Sequence, residues 1–483
     1  MTTPKQKDSR PEQLLSVALT EIEARLKSRP NAIELRFDRA RCLEMLGRRE
    51  EAAQEFGGVL GRAPDHVGAL NGLGMLRLGT DDKSGARQLF KRAVAANGEY
   101  APSRANYAYT LLAEKRFAEA RAQYEAALRL DAQLAIAHHG LAETLEHLGD
   151  LDEARRHRIL GMAQRPITAL RYVGSGQPVR VLLLGSADSG NLVIDSYLDN
   201  QTFETHALVM EHYTPDLVLP PHDLVFNSIG EAERCGPALE AAAALLSRTT
   251  TAAVINHPAA VLATGRAANA ARFEDLDGVI TPKICNVARD SFAGATFDYP
   301  LLLRSPGYHT GQYFIMVESS DQLAAAVASL PGDELLAITY IDVRNPDNMV
   351  RKYRVMIVDG HLYPLHLAVA SQWKVHYFSA DMSTSPEHRA EDAAFLQNMP
   401  DVLGDRAMRG LEAIRDTLDL DYGGIDFSID PAGNVIVFEA NASMVVPKPG
   451  PEAIWAYRRA PVQRILDAVR EMLLRRAKTH SPN

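Results

Sequence analysis

Small and aromatic residues recur along the first third of the chain at a fixed interval. Ala52, Ala86, Ala120 and Ala154 stand 34 residues apart, and so do Phe56, Phe90 and Tyr124. A third column is small (Ala40, Gly74, Ala108, Ala142), and Pro30 and Pro64 punctuate the same period. A period of this length corresponds to a helical hairpin used repeatedly. The small residue lets the two helices of a hairpin approach, and the aromatic fills the gap to the next hairpin. The pattern predicts three hairpins over roughly residues 31–132, a weaker fourth to about 165, and a leading helix over Pro11–Ser28. It stops in AQRPITALRYVGSGQPVR (163–180), where two Pro and two Gly mark a boundary.

The spacing resembles the tetratricopeptide repeat, whose hairpins stack into a solenoid. The resemblance implies a concave surface that grips a peptide or protein partner. The bland alternative is a solenoid that only spaces or oligomerises the rest of the chain.

Beyond the boundary the texture changes. VRVLLLG (179–185) is a continuous apolar run, as expected of a buried parallel strand, and THALVM, DLVFNSIG and TAAVINHP follow at helical or loop spacing. The turn GSADSGN (185–191) offers backbone N–H groups to an anion but lacks the Gly-Lys-Ser/Thr ending of a P-loop, so a plain turn is the stronger reading. In YPLLLRSPGYHTGQYFIMVES (299–319) two strand-like runs flank a loop with Gly307 and Gly311, and Arg304 closes the first run. LLAITYIDV (335–343) is another strand, and RKYRVMIVDGHLYPLHLAVA (351–370) is a hairpin around Asp359–Gly360. Lys352 and Arg354 share one face of its first strand, and Arg351 takes the other.

IDFSIDPAGNVIVFEANAS (425–443) predicts a second hairpin. Pairing Asp430 with Val435 makes one face apolar, with Ile429 opposite Ile436, Phe427 opposite Phe438 and Ile425 opposite Ala440. The other face then sets Asp426 against Glu439, with Asn441 two residues on. Opposed carboxylates repel, and a cation removes the conflict. Two carboxylates and an amide suit Mg²⁺, and the lack of His and Cys disfavours Zn²⁺.

These residues resemble the ATP-grasp superfamily, in particular D-alanine–D-alanine ligase and glutathione synthetase, over roughly residues 179–475. The resemblance rests on Asp426 followed by Glu439-Ala-Asn441. It implies an N-terminal all-α tetratricopeptide solenoid (11–165), a linker (166–178), an α/β pre-ATP-grasp domain (179–284) and an α+β ATP-grasp domain (285–478). The lid would span about 297–342 and the metal-binding sheet about 351–445. Asp426, Glu439 and Asn441 would hold two Mg²⁺ ions, or Mn²⁺, with ATP. Arg266 and Arg304 stand where the family normally has lysine. Gly307, His309, Thr310 and Gly311 would form the loop over the triphosphate. Tyr340 would lie on the hinge strand at adenine, and Asp342 would stand in at the ribose for a missing glutamate. Arg354 would stabilise the transferred phosphoryl group. Lys374 and His376, in the cluster Trp373-Lys374-Val375-His376-Tyr377, would recognise an acceptor or the acyl phosphate, with His376 as general base for the incoming amine; the bland alternative is a packed aromatic corner with solvated charges. The implied activity is ATP-dependent ligation of a carboxylate to an amine, or to a thiol, through an acyl phosphate. A small-molecule kinase, or a repeat scaffold carrying a degenerate ATP-grasp domain, is the alternative.

Composition adjusts this picture only slightly. The 483 residues exceed one ordinary core, so two or three domains are expected. A net charge of −9 argues against nucleic acid as a partner through a general basic field. Three cysteines without metal-ligand spacing fit a reducing cytoplasm. The N-terminal stretch MTTPKQKDSRPEQ has no apolar core and no run is long enough for a membrane span, so neither a secretory signal nor a membrane is expected. The expected partners are a peptide or protein on the repeats and a small carboxylate and amine at the site, with a homodimer left open.

Overall fold

The computed structural model describes residues 10–163, 166–188, 190–249, 252–308, 311–375, 377 and 380–479. The chain forms two compact units, residues 1–165 and 166–483.

The first unit is helical. After α1 (Arg10–Ser28) come four hairpins: α2 (Ile33–Met45) with α3 (Arg49–Leu60), α4 (Val67–Leu78) with α5 (Lys83–Ala96), α6 (Ala101–Ala113) with α7 (Phe117–Leu130), and α8 (Ala135–Leu148) with α9 (Leu151–Met162). The periodic columns are its core. Ala52, Ala86, Ala120 and Ala154 are fully buried, as are Phe56 and Phe90. The aromatics work as their spacing suggests. A Cβ added at Gly72 would collide with the Phe56 ring, and one at Gly140 with Tyr124, each ring belonging to the preceding hairpin. Within one hairpin, Gly74 leaves room for Phe90, whose ring a Cβ would meet at 2.5 Å.

The described residues of the second unit form three sheets. The first has the order β1-β3-β2-β4-β5, built from β1 (Ile167–Ala169), β2 (Val179–Gly185), β3 (Phe203–Val209), β4 (Leu224–Asn227) and β5 (Ala253–Ile255). It is parallel except for β1, which runs antiparallel to β3. Helices α10 (Gly236–Thr249), α11 (Pro258–Leu262) and α12 (Arg266–Phe273) accompany it. The second sheet is antiparallel, in the order β7-β10-β8-β9, from β7 (Ile284–Ala288), β8 (Leu301–Arg304), β9 (Phe314–Val317) and β10 (Glu334–Thr339), with α13 (Ser320–Ser329) after β9. The third has the order β12-β11-β13-β14-β6, from β6 (Val279–Ile280), β11 (Val350–Val358), β12 (His361–Ala370), β13 (Tyr422–Ile429) and β14 (Val435–Asn441). Helices α14 (Pro386–Gln397), α15 (Met399–Leu418, broken at Gly404) and α16 (Ala456–Thr479) complete the unit.

Two expected boundaries shift. Residues 167–169, read as linker, form the edge strand β1, because an extended run beside β3 satisfies its backbone in the ladder. The division at 284/285 does not separate two cores. Leu182, Leu184 and Val225 of the first sheet share one core with Val355, Ile425 and Phe427 of the third, and β6 pairs with β14.

Both hairpins of the third sheet carry a bulge at the same level. In β12, Val355 faces Pro364 but Arg354 faces His366, so Leu365 is the extra residue. Pro364 has no N–H to give the ladder, and the register breaks beside it. In β14, Phe427 faces Val437 but Asp426 faces Glu439, so Phe438 is the extra residue. The 429/436 and 427/438 pairings expected from the sequence are therefore replaced by Ile429 with Val435 and Phe427 with Val437. The turn takes one residue more than expected because the Asp430 side chain accepts from the N–H groups of Ala432 (2.9 Å) and Asn434 (2.7 Å), with Gly433 at φ 83°. The bulge then restores Asp426 opposite Glu439. The longer turn places Ile436 and Phe438 on the walls of a cleft and off the expected core face.

Candidate functional site

The bulges align one row of side chains across four strands. His366 on β12 faces Arg354 on β11, Arg354 faces Asp426 on β13, and Asp426 faces Glu439 on β14. Without the bulges, regular alternation would put Leu365 and Phe438 into this row. Bulges commonly re-aim side chains in this way beside functional sites.

The row forms part of a cleft of about 630 Å³ lined by residues of the second and third sheets. Its apolar walls include Ile284, Leu302 and Ile338 on one sheet and Ile436 and Phe438 on the other. Among the described residues, five arginine and lysine side chains line it: Arg266, Arg304, Lys352, Arg354 and Lys374.

Asp426 is fully buried. Arg354 grips it with both arms, and Lys352 Nζ lies 2.6 Å from Oδ2. Burial alone would raise its pKa, but Arg354 and Lys352 hold it far below the usual carboxylate range. Glu439 is likewise pushed up by burial, yet Arg266 and Arg304 bring it down to about 2. Arg266, at the start of α12, donates to Glu439 and, at 2.7 Å, to Glu233. Burial opposes its charge, and those two carboxylates outweigh that and raise its pKa. Asn441 donates to Glu439 at 2.9 Å and accepts from Ser443 N–H at 3.0 Å. The repulsion between Asp426 and Glu439, taken in the sequence as a sign of metal, is thus relieved by arginine and lysine. Among the described residues, no group of three or more His, Cys, Asp or Glu side chains is placed to hold a metal ion.

The other expected residues divide. Arg304 is buried at the end of β8 over the Phe314 ring (5.3 Å) and donates to the Tyr308 carbonyl, while its Nε has no hydrogen-bond partner among the described residues. Burial, then the charge of Arg266, lowers its pKa. Gly307 and Gly311 both adopt φ 74°, a conformation that glycine takes without strain. The Gly307 N–H donates to Glu233 at 3.2 Å, and Gly311 lines the cleft. Lys374 ties this loop through the carbonyls of Gly311 and Phe314 (3.1 Å to the latter). Tyr340 lines the cleft. Asp342 does not: it is exposed and paired with Arg344 at 2.5 Å. His309, Thr310 and His376 lie outside the described residues. The GSADSGN turn is closed by the protein itself, since Ala187 N–H donates to Glu211 (2.9 Å) and Ser186 N–H to Asn191 (2.8 Å).

Sequence reasoning missed His366, whose signal was Pro364 breaking its strand, and Glu233, which carried none.

Comparison with known proteins reaches the first unit. The tetratricopeptide repeat pattern matches residues 46–102 and 108–157. The N-terminal unit is built of tetratricopeptide repeats. Such repeats are scaffolds for protein partners. No curated protein matches the chain. Similar solved structures include a MamA protein (19% identity, TM-score 0.28, covering 32% of this chain and 84% of that one). A tetratricopeptide protein of Thermus thermophilus has 24% identity and TM-score 0.28 over 32% of this chain and 84% of its own. A MamA protein from Desulfovibrio magneticus has 19% identity and TM-score 0.29 over 32% and 87%. No helix among the described residues is long and apolar enough to cross a membrane.

Proposed function

We propose that the second unit binds a nucleoside triphosphate in the cleft and uses it to activate a carboxylate as an acyl phosphate for transfer to an amine. The tetratricopeptide repeats hold a peptide or protein partner for that reaction. The observation that carries the reading is the cleft: among the described residues, apolar walls and five arginine and lysine side chains suited to phosphate oxygens line the same space. The ATP-grasp resemblance of Asp426, Glu439 and Asn441 supports the same assignment.

Mg²⁺ suits the donor chemistry here, which is all oxygen. Asp426, Glu439 and Asn441 would hold it, and bound Mg²⁺ would supply charge neutralisation on the transferred phosphoryl group. A triphosphate offers Arg266, Lys352 and Arg354 a second set of oxygens in place of the two carboxylates they now neutralise. Arg354, at the centre of the row, is the group to stabilise charge on the transferred phosphate. Arg304, which lines the cleft, adds a further positive charge for an anion bound there.

The second reading is a repeat scaffold whose cleft no longer turns over. Two observations favour it. Both acids are already neutralised by the protein, and Asp342 is paired with Arg344 outside the cleft. Calorimetry with ATP, with and without Mg²⁺, on the wild type and on Glu439→Gln separates the two. Mg²⁺-dependent binding that weakens in the variant, with ADP released when a carboxylate and an amine are added, supports the ligase. Binding without turnover supports the scaffold with a residual site, and no binding at millimolar ATP removes the nucleotide from both.

A further inference from the structure

The oxygens that the acid row would lend to a metal are engaged by the protein's own donors. Asp426 Oδ1 accepts from Arg354 Nε, and Oδ2 takes both Arg354 Nη2 at 2.7 Å and Lys352 Nζ at 2.6 Å. Glu439 Oε1 accepts from Arg266 and from Asn441 Nδ2. Asn441 Oδ1 accepts from the N–H and the hydroxyl of Ser443, each at 3.0 Å. Charge is matched as well as hydrogen bonding. Asp426, Glu439, Glu233 and Glu231 are met by Arg266, Arg304, Lys352 and Arg354, so the acids have little charge left over for a bare divalent ion. Lys352 differs in kind from the three arginines. It is a compact point charge on a flexible stem rather than a planar fork, and it lines the cleft with its side chain 18% exposed. Burial raises the Glu439 pKa, and Arg266, Arg304 and then Lys352 lower it. The Lys352 charge therefore acts on both opposed acids, which is the work a metal ion would do there.

We propose that Lys352 is the resident counter-ion of the acid row and keeps Asp426 closed to divalent metal until a triphosphate draws its ammonium away. Metal alone does not bind; it enters with the nucleotide. The inference rests on the nucleotide-binding reading above and adds an order to it. An ionised carboxylate has roughly four lone-pair sites. Arg354 takes two on Asp426 and Lys352 a third, and any ion on what is left meets the ammonium charge. Triphosphate oxygens give Lys352 a second partner in the same cleft. Its withdrawal frees Asp426 Oδ2 and removes a positive charge from between the acids, and the phosphates bring negative charge of their own. Asn441 then turns its oxygen to the ion by rotating its amide, leaving Ser443.

The test uses the full chain with Mn²⁺ as the probe and no nucleotide, bound ion being read from the loss of the free-ion paramagnetic resonance signal. Lys352→Met removes the charge and keeps the stem, and Lys352→Gln removes the charge but leaves an N–H for Asp426. Both should bind Mn²⁺ at least about tenfold more tightly than wild type, with urea unfolding showing that each is folded. Lys352→Arg, which keeps the charge, should stay at the wild-type value. Lys352→Met combined with Asp426→Asn should lose the gain. Calorimetry of the wild type against Mn²⁺–ATP runs alongside and should show binding. Equal Mn²⁺ affinities in wild type, Lys352→Met and Lys352→Gln overturn the role of Lys352, and the nucleotide reading stands if the wild type binds Mn²⁺–ATP. A gain that survives Asp426→Asn, or that appears in Lys352→Arg, overturns it as well. A wild type that binds no Mn²⁺–ATP at millimolar concentration overturns the nucleotide reading and this inference with it.

Discussion

Arg354 stands directly across the sheet from Asp426 and closes on it with both arms, Nε to Oδ1 at 2.5 Å and Nη2 to Oδ2 at 2.7 Å. Such a buried carboxylate is tolerable only while its partners remain. Arg354→Met leaves Asp426 to Lys352 and should cost about 3 kcal/mol. Adding Asp426→Asn should recover part of that loss, because the stranded charge is gone. Both tryptophans, Trp373 and Trp455, lie in the second unit, so urea unfolding followed by tryptophan fluorescence reports this unit. A loss under about 0.5 kcal/mol in the single variant would mean that the pair is not structural.

Arg304 gives the sharpest test of the anion site. Its guanidinium is buried and the residue lines the cleft, so a phosphate bound there meets its charge away from bulk water. Arg304→Ala should weaken inorganic triphosphate and ATP by roughly ten- to a hundredfold, the range of a charge-assisted hydrogen bond. Lys374→Ala frees the loop carbonyls of Gly311 and Phe314 and should weaken them less. Calorimetry of both variants against both ligands decides it, and equal affinities in wild type and Arg304→Ala reject the role.

The repeats were legible in the sequence because each hairpin buries the same columns, so Ala52, Phe56 and Gly74 announce themselves by position alone. Much of the site was legible for a less secure reason. Asp426 does face Glu439, but the register expected from the turn was one residue off, and the bulge at Phe438 made up the difference. The same kind of irregularity hid His366, since plain alternation puts Leu365 across from Arg354. Arg266 meets Glu439 across 173 residues of chain, a contact that no local pattern carries. The metal argument from opposed acids had the physics right and left out the protein's own cations as a solution.

Gly74 tests the packing of the repeats. A Cβ there would come within 2.5 Å of the Phe90 ring, and both residues are buried inside the α4–α5 hairpin. Gly74→Val should destabilise the first unit by about 2 kcal/mol, against the gain in helix propensity expected for replacing glycine. Far-UV circular dichroism should show an earlier loss of helix, with tryptophan fluorescence unmoved because no tryptophan lies in this unit. An unchanged helical transition would mean that Phe90 can swing away at little cost.

Acid should weaken the second unit in two steps with separate origins. Burial, then the charge of Arg354, holds the His366 pKa well below 6.5. Between pH 6.5 and the folded value, the unfolded chain therefore binds a proton that the folded chain refuses, so stability is full above about pH 6.5 and falls as pH drops, by up to about 1.4 kcal/mol per unit. Glu439 lies at about 2 when folded against 4.5 when free. Its stabilisation is complete above about pH 4.5 and drains away between there and about pH 2, and Asp426, held lower still by Arg354 and Lys352, adds to the same acid loss. Asp392, whose pKa burial raises, works in the opposite sense but is the same in both proteins when His366 is replaced. His366→Asn should flatten the fall between about pH 6.5 and 4.5 and leave the lower step, whereas Glu439→Gln should spare the upper step and shrink the lower one. Urea midpoints from tryptophan fluorescence across that range measure both. Parallel curves for wild type and His366→Asn would show that the ring is not held neutral in the fold.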